Sequence, residues 1–283
     1  MKMVQDYLIK RGITDPWKIE PGSHTKFNQA VIIPAYGESE YLPLTLASLD
    51  TNIPAILKET LVIVVVNNSS DTVESIRNDN QLTLKALNTA DYHFTLGIVD
   101  AASSSLELPK RQAGVGLARK IGMDLALSHL LSTDSLIFCT DADTIVSKDY
   151  IEKVKKYFDT TKAKAAVVRF QHQKPDDPKQ EKTIRRYEEY LLSTAEKMRD
   201  AGSPYGYVAM GSTMVCTAQA YCAVGGMPRK KATEDFYFLQ ELSKYDGVHT
   251  ILDILVYPSP RPISRVYLGT GFRMEQAQNG FDI

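Results

Sequence analysis

The sequence predicts an α/β fold in which a mostly parallel central sheet is flanked by helices. Short runs rich in β-branched residues are apolar on both faces, which is typical of strands covered on both sides. Between these runs, apolar residues recur at helical spacing, which is typical of helices that pack one face onto a sheet. The alternation of the two patterns favours a doubly wound sheet over an all-β or all-α fold.

Five strands are predicted from the apolar runs, at residues 30–35, 61–66, 94–99, 135–139 and 165–170. The helical faces between them consist of Leu42, Leu46, Leu49 and Ile53, of Leu117, Ile121, Leu125 and Leu130, and of Ile151, Val154 and Phe158. A polar stretch at 173–182 then breaks the alternation. The helical pattern that follows has Ile184, Tyr187, Leu191, Ala195 and Met198 on one face. The last predicted helix begins at Thr233 and runs to about Tyr245.

The composition excludes several classes of protein. The 33 Lys and Arg residues nearly balance the 34 Asp and Glu residues, so no net field attracts nucleic acid. No apolar run is long enough to cross a bilayer, and the first residues lack the apolar core of a signal peptide. The 3 cysteines form no CxxC pair, which indicates free thiols in a reducing compartment. We therefore predict a cytoplasmic protein, either free or peripheral to a membrane. The ending TGFRMEQAQNGFDI has no clear stop, which leaves open that the chain is part of a longer protein.

Two carboxylates follow the fourth predicted strand, in the segment SLIFCTDADT. The alternation of side chains along an extended chain places Asp141 and Asp143 on one side. Ligands of open α/β sheets bind at the carboxyl ends of the strands, and two acids at that position favour a cation. Mn²⁺ or Mg²⁺ would take these oxygens together with those of a diphosphate. Alternatively, the two acids form a solvated turn or cap the helix that follows.

A second acid pair, Glu234 and Asp235, comes directly after Thr233 at the start of the last predicted helix. A carboxylate in a partly dry pocket is suited to remove a proton from an attacking hydroxyl group. The chemistry favours Asp235 as this base, with Glu234 as an anchor for the acceptor. Alternatively, both acids only stabilise the helix dipole, which contributes roughly 0.3 to 1 kcal/mol.

Four motifs in order resemble family 2 glycosyltransferases: VIIPAYGESEYLPLTLASL at 31–49, GVGLARK at 114–120, TDADT at 140–144, and GG followed by TED. The resemblance implies a GT-A fold and an enzyme of the hexosyltransferase type. It would move a sugar from a nucleotide diphosphate sugar to a hydroxyl group of an unidentified sugar, lipid-linked or small-molecule acceptor. One domain would cover residues 1–283, with a nucleotide-binding half at about 28–170 and an acceptor-binding half at about 171–283.

The resemblance also implies roles for individual residues. The nucleotide pocket would be lined by Pro34, Ala35, Tyr36 and Glu38, and Arg119 or Lys120 would lie near the donor. Asp141 would contact the ribose or the metal, Asp143 would bind the metal, and Asp235 would be the base of an inverting reaction. Gly211, in the loop Met210–Ser212, would let the backbone approach the donor sugar.

The sequence departs from the family pattern where the second strand ends, because Val66 occupies the position of an acid that reads the base. Asn67 or Asn68 could supply that hydrogen bond instead, or form an Asn-rich turn. The third metal ligand is also open. The candidate ligand is His249, and Arg261, Ser264 and Arg265 follow in a segment that is either a diphosphate clamp or a basic surface loop.

Other hypotheses remain from the residues alone. TDADT also fits a haloacid-dehalogenase-like phosphatase with Asp141 as nucleophile, although that motif normally lies near the amino terminus. Nucleotidyltransferases share strand-end acids, but PAYGESEY lacks their basic Gly-rich loop. A module that binds a nucleotide without catalysis is a further alternative. Two secondary features are a phosphate cradle at 114–116 near Lys110 and Arg111, and stacking of an acceptor on Tyr187, Tyr190, Tyr205 or Tyr207.

Overall fold

The central sheet has eight strands in the computed structural model, which describes residues 2–13, 15–22, 25–263 and 268–280. The strands are β1 (Gln29–Ala35), β2 (Thr60–Asn67), β3 (Thr95–Ala101), β4 (Leu136–Cys139), β5 (Ile145–Val146), β6 (Ala165–Phe170), β7 (Met214–Thr217) and β8 (His249–Tyr257). Their order across the sheet is β3-β2-β1-β4-β7-β6-β8-β5. All five predicted strands are confirmed, with ends that differ by one or two residues.

The sheet is mostly parallel, as predicted. β1 pairs in parallel with β2 and β4, β2 with β3, and β6 with β8. β7 is antiparallel to both β4 and β6, so β6 runs in the same direction as β1, β2, β3 and β4. β5 is antiparallel to β8. The two predicted halves of the chain therefore share one sheet, because β6 reaches β4 only through β7.

Helices cover both faces of the sheet. They are α1 (Lys2–Arg11), α2 (Leu42–Asp50), α3 (Pro54–Leu57), α4 (Glu74–Leu87), α5 (Val115–Leu127), α6 (Tyr150–Thr161), α7 (Pro178–Asp200), α8 (Ala218–Ala223), α9 (Glu234–Asp246) and α10 (Thr270–Gln278). Alternate residues of β1 enter two different cores, because side chains along a strand point to opposite faces. Ala30 and Ile32 pack with α1, α5, α8 and α9, whereas Val31 and Ile33 pack with α2, α4 and α6.

Two helix predictions need correction. Ile53 does not extend the face of α2, because Pro54 restricts the residue before it and starts a new short helix. Ile53 has a ψ of 123° and is 38% exposed. The helix at Thr233 is also not the last one, since α10 follows β8 and packs on α7 through Met274, Ile184 and Tyr187. None of the described helices is both long and apolar enough for a membrane span.

Candidate active site

The predicted strand-end acids lie at the carboxyl edge of the sheet. β4 ends opposite Ile32 while β1 continues to Ala35, so residues 140–143 run on beside the end of β1. The amide of Thr140 donates to the carbonyl of Ile32 at 3.1 Å, and the buried hydroxyl of Thr45 donates to the carbonyl of Ala142 at 2.8 Å. The DxD turn is therefore fixed from two sides, next to the segment that follows β1.

Arg119 joins the two predicted acid pairs. Its guanidinium group is 3% exposed and donates to Asp141 with one nitrogen and to Glu234 with the other. Burial favours the neutral form of this arginine, but the charges of Asp141 and Glu234 raise its pKa above the usual value. Gly211 lies against the same group, since a Cβ there would be 2.2 Å from an Arg119 nitrogen. Arg119 is thus held between the DxD turn, the start of α9 and the loop before β7.

Asp143 and Glu38 share a second arginine, Arg261. Its Nε and Nη2 lie 3.1 and 2.5 Å from one Asp143 oxygen, and Nη2 lies 3.0 and 2.9 Å from the two Glu38 oxygens. The guanidinium carbon stacks 3.9 Å above the ring of Tyr41. Burial raises the pKa of Asp143 to about 6; Arg261 opposes this shift, while Asp141 and Glu38 add to it. This arrangement neutralises part of the acidic charge at the strand ends.

Gln173 holds the backbone of Asp143 in place. Its side-chain amide donates to the carbonyls of Asp143 and Tyr257, each at 2.8 Å. This bond joins the DxD turn to the end of β8, from which Arg261 follows. The sequence did not single out Gln173, which lies in a polar stretch, or Tyr41, which lies within the motif at 31–49 but was given no role.

The two acids at the start of α9 have different environments. Glu234 is 3% exposed and bound to Arg119, so its predicted role as an anchor for the acceptor is wrong: an acceptor cannot reach it. Burial raises the pKa of Glu234, and Arg119 opposes that shift. Asp235 is half-buried, and its carboxylate accepts a 2.7 Å bond from the amide of Phe236. Asp235 is therefore the accessible member of the pair.

A glycine pair brings α9 close to α5. A Cβ at Gly116 would lie 2.4 Å from the carbonyl oxygen of Lys230, and one at Gly114 would lie 2.7 Å from the Cα of Lys231. The backbone of the 228–231 segment therefore covers the start of α5, which corrects the hypothesis of a phosphate cradle there. Lys110, the nearby cation, forms an exposed ion pair with Asp71 at 3.0 Å.

Lys120 does not lie near the predicted donor site. Its Nζ is 3.0 Å from the Asp124 carboxylate and 2.7 Å from the Tyr7 hydroxyl, in a buried cluster between α1, α5 and α8. Burial lowers the pKa of Lys120, and Asp124 opposes this shift. Consecutive helix residues point about 100° apart, so only Arg119 faces the DxD turn. The assignment of Lys120 to the donor site is therefore wrong.

His249 is also misassigned as a metal ligand. It is the first residue of β8 and pairs with Ala166, and its imidazole contacts the Tyr157 hydroxyl at 3.1 Å. Asp143 lies at the other end of the strand, beside Tyr257. The two ends of β8 are roughly 25 Å apart at about 3.3 Å per residue, so His249 lies about that far from Asp143. The histidine and the aspartate cannot share an ion.

Asn67 and Asn68 use their side chains to hold the loops at the strand ends. The Asn67 amide donates to the carbonyls of Ala35 and Val65, at 3.0 and 3.1 Å. Asn68 accepts a 2.8 Å bond from Asn80, and Asn80 also receives the amide of Gly37 at 2.9 Å. These buried bonds support the turn interpretation for Asn68. Asn80 was missed because it lies within the amphipathic helix α4.

Three further residues that the sequence predicted for the site, at 34–36, lie at the carboxyl end of β1. Pro34 and Ala35 are buried in β1, and Tyr36 is half-buried directly after it. Arg265 and Ser264 lie outside the described residues. Tyr187 is buried against α10, and burial raises its pKa, with opposing effects of Arg273 and Asp235. Tyr190 on the same helix is 59% exposed.

The acids provide only part of a metal site. Among the described residues, no group of three or more His, Cys, Asp or Glu side chains comes together around one point. Asp141 and Asp143 supply hard carboxylate oxygens, which suit Mn²⁺ or Mg²⁺, and such ions commonly complete their shell with phosphate oxygens and water. The residues therefore fit a divalent ion that is bound together with a diphosphate.

Comparison with known proteins identifies the same fold. A family model described as Glycosyl transferase family 2 matches residues 95–218. The crystal structure of S. aureus TarS 1-349 in complex with UDP-GlcNAc has a TM-score of 0.57 and 15% identity, and the match covers 86% of this chain and 62% of that one. The mannosyltransferase PcManGT from Pyrobaculum calidifontis, in complex with GDP-Man and Mn²⁺, has a TM-score of 0.53 and 15% identity, with 93% and 64% covered. The chain thus spans less than two thirds of either structure. No curated protein matches the chain by sequence.

The sheet and its strand-end acids define a GT-A fold, the fold of these glycosyltransferases. Over residues 95–218, the resemblance to family 2 glycosyltransferases that the motifs indicated is confirmed. Neither the family model nor the two structures described above represents a phosphatase or a nucleotidyltransferase.

Proposed function

We propose that the protein transfers a hexose from a nucleotide diphosphate sugar to an acceptor hydroxyl group, with inversion at the anomeric carbon. The observation that carries this proposal is the pairing of two acid sites: the DxD turn and the start of α9 are joined through Arg119, with Asp235 accessible and Glu234 buried. UDP-GlcNAc in TarS and GDP-Man in PcManGT are hexose donors, which supports the donor class. Buried free cysteines at 139, 216 and 222 support work in a reducing compartment such as the cytoplasm.

In the proposed reaction, the acceptor oxygen bonds to the anomeric carbon while the bond from that carbon to the diphosphate breaks. Asp235 accepts the proton of the acceptor hydroxyl group while the hydroxyl oxygen attacks the anomeric carbon. Arg119 keeps Asp141 and Glu234 at a fixed separation, and Glu234 thereby holds the first turn of α9 in place. Asp141 and Asp143 would hold Mn²⁺ or Mg²⁺, which would stabilise the charge on the leaving diphosphate. Arg261 lies close enough to Asp143 to pair with a diphosphate bound there.

Calorimetric titration with UDP, GDP, UDP-GlcNAc and GDP-Man, with and without Mn²⁺, tests the proposed donor class. We expect the nucleotides of one base, either uracil or guanine, to bind only in the presence of Mn²⁺. The Asp143→Asn variant should lose that binding. Asp253→Asn is the matched control, because Asp253 is an exposed carboxylate that pairs with Lys153 away from the site. Binding of no nucleotide under any condition, by a folded protein, would contradict the proposal.

A further inference from the structure

A guanidinium group lies where the strand-end acids would receive a cation. Arg261 contacts Asp143 and Glu38 at the same time, and its side chain is only 16% exposed. The side chain of Glu38 is 4% exposed, and Arg261 supplies a positive charge next to this buried carboxylate. Two guanidinium nitrogens of Arg261 contact the same Asp143 oxygen, so they occupy one side of a carboxylate that the proposed function assigns to the metal.

We propose that Arg261 makes the metal site selective for an ion that arrives with a diphosphate, by serving as the counter-ion of Glu38 and Asp143 until then. This inference rests on the proposed function, which supplies the diphosphate. An ion at Asp143 alone would stand next to the positive charge of Arg261 and be repelled by it. A diphosphate removes the conflict, because its oxygens accept bonds from the guanidinium and coordinate the metal at once.

The exchange requires movement of the side chain and not of the backbone. The segment after β8 is fixed: the amide of Gln173 donates to the carbonyl of Pro258 at 2.9 Å, and a Cβ at Gly271 would lie 2.2 Å from the carbonyl oxygen of Ile263. The start of α10 thus packs directly on the backbone that carries Arg261. The long side chain can turn from Asp143 to a diphosphate while the stacking on Tyr41 keeps it in the site.

Binding of Mn²⁺ alone, followed by electron paramagnetic resonance, tests this inference without any donor. We expect Arg261→Gln to bind Mn²⁺ alone at least about tenfold more tightly than the unchanged protein, since the competing charge is gone. The same variant should bind Mn²⁺ with UDP or GDP at least about tenfold more weakly, because the phosphate contact is lost. Arg261→Lys keeps a charge at the site and should leave the affinity for Mn²⁺ alone low.

Arg273→Ala is the matched control, because Arg273 is an exposed cation on α10 whose described hydrogen bond goes to Gln276. Both of its affinities should stay unchanged. If Arg261→Gln folds, as judged by its melting temperature, and binds Mn²⁺ alone no more tightly, the counter-ion role is wrong. That result is distinguishable from failure of the proposed function, in which the unchanged protein binds neither UDP nor GDP with Mn²⁺.

Discussion

Arg119 is the residue on which the geometry of the candidate site depends most. It is buried, its two carboxylate partners come from the DxD turn and the start of α9, and its guanidinium group fills the space that a Cβ at Gly211 would take. A buried charge held by two opposite charges is stable only while both contacts persist. Even the addition of one methyl group next to the guanidinium group should therefore lower kcat.

We expect Gly211→Ala to lower kcat by roughly 10- to 100-fold, because its Cβ would displace the Arg119 guanidinium and with it Glu234 and the first turn of α9. The KM for the donor should change less than kcat, since Asp141 would lose Arg119 but Asp143 and Arg261 would keep their contacts. Steady-state kinetics with the donor found by titration measure the effect. Gly22→Ala is the control, since a Cβ there meets no atom within 4 Å. A Gly211→Ala enzyme with unchanged kcat would show that catalysis does not depend on the position of Arg119.

The two acids of α9 should separate into a base and a positioning residue. Asp235→Asn is expected to reduce transfer by a factor of about 100 or more while donor binding persists, because the proton acceptor is lost. Glu234→Gln is expected to lower the melting temperature as well as kcat, since it leaves part of the Arg119 charge unpaired in the interior. Kinetics and thermal unfolding of both variants make the comparison. A lowered melting temperature in Asp235→Asn alone would reverse the assignment.

At the scale of elements, α5 serves two parts of the protein at once. Arg119 reaches the site, while Asp124 binds the hydroxyls of Tyr7 and Tyr221 at 2.7 and 2.6 Å and the amide of Ile13 at 2.9 Å. Together with Lys120, these bonds fully satisfy a carboxylate that is 1% exposed. α1 is thereby fixed to the helix that positions Arg119.

We expect Asp124→Asn to cost about 3 to 5 kcal/mol in the free energy of unfolding, because Lys120 would keep a buried charge without its partner. Urea denaturation measures this cost. Asp253→Asn, which removes an exposed partner of Lys153, should cost about 1 kcal/mol or less. Equal costs for the two variants would show that the buried cluster does not hold α1 in place.

The sequence predicted those elements whose pattern is local and strong. β1, β2, β3, β4 and β6 were found because each is a continuous apolar run. The acids at 141 and 143 were found because they follow a strand, and those at 234 and 235 because they begin a helix. β8 was missed because Asp253 interrupts its apolar run, and β7 because Met214–Thr217 lies within a segment rich in glycine and small residues. Arg119 and Lys120 could not be separated, since neighbouring helix residues differ only in direction. Glu234 was predicted to anchor the acceptor because its burial becomes visible only in the folded structure.

At the scale of the whole molecule, a strand from the second half of the chain joins the two parts of the sheet. β7, from residues 214–217, lies between β4 and β6, and β8 covers the other side of β6. A fragment that ends at residue 172 would keep β6 but lose both of its neighbours. A strand without neighbours leaves its backbone groups and apolar faces unpaired.

We expect the fragment 1–172 to show no cooperative thermal unfolding, whereas the full chain should unfold in a single transition. Circular dichroism and calorimetry distinguish these outcomes. Adding the separately expressed fragment 173–283 should restore the transition if the missing strands are the cause. A cooperative transition of fragment 1–172 alone would mean that its first four strands form an independent domain.

The long reach of the Arg119 and Arg261 contacts has a consequence for how the protein assembles. Arg119 and Glu234 are 115 residues apart in the chain, and Glu38 and Arg261 are 223 residues apart. Contacts of such high sequence separation close late and slow the search for the native state. A chain emerging from the ribosome can pair β1 with β2 and Arg119 with Asp141 early, whereas Glu38 and Asp143 can pair with Arg261 only after residue 261 has appeared. The charge balance around Asp143 is therefore completed late, after most of the sheet has been made.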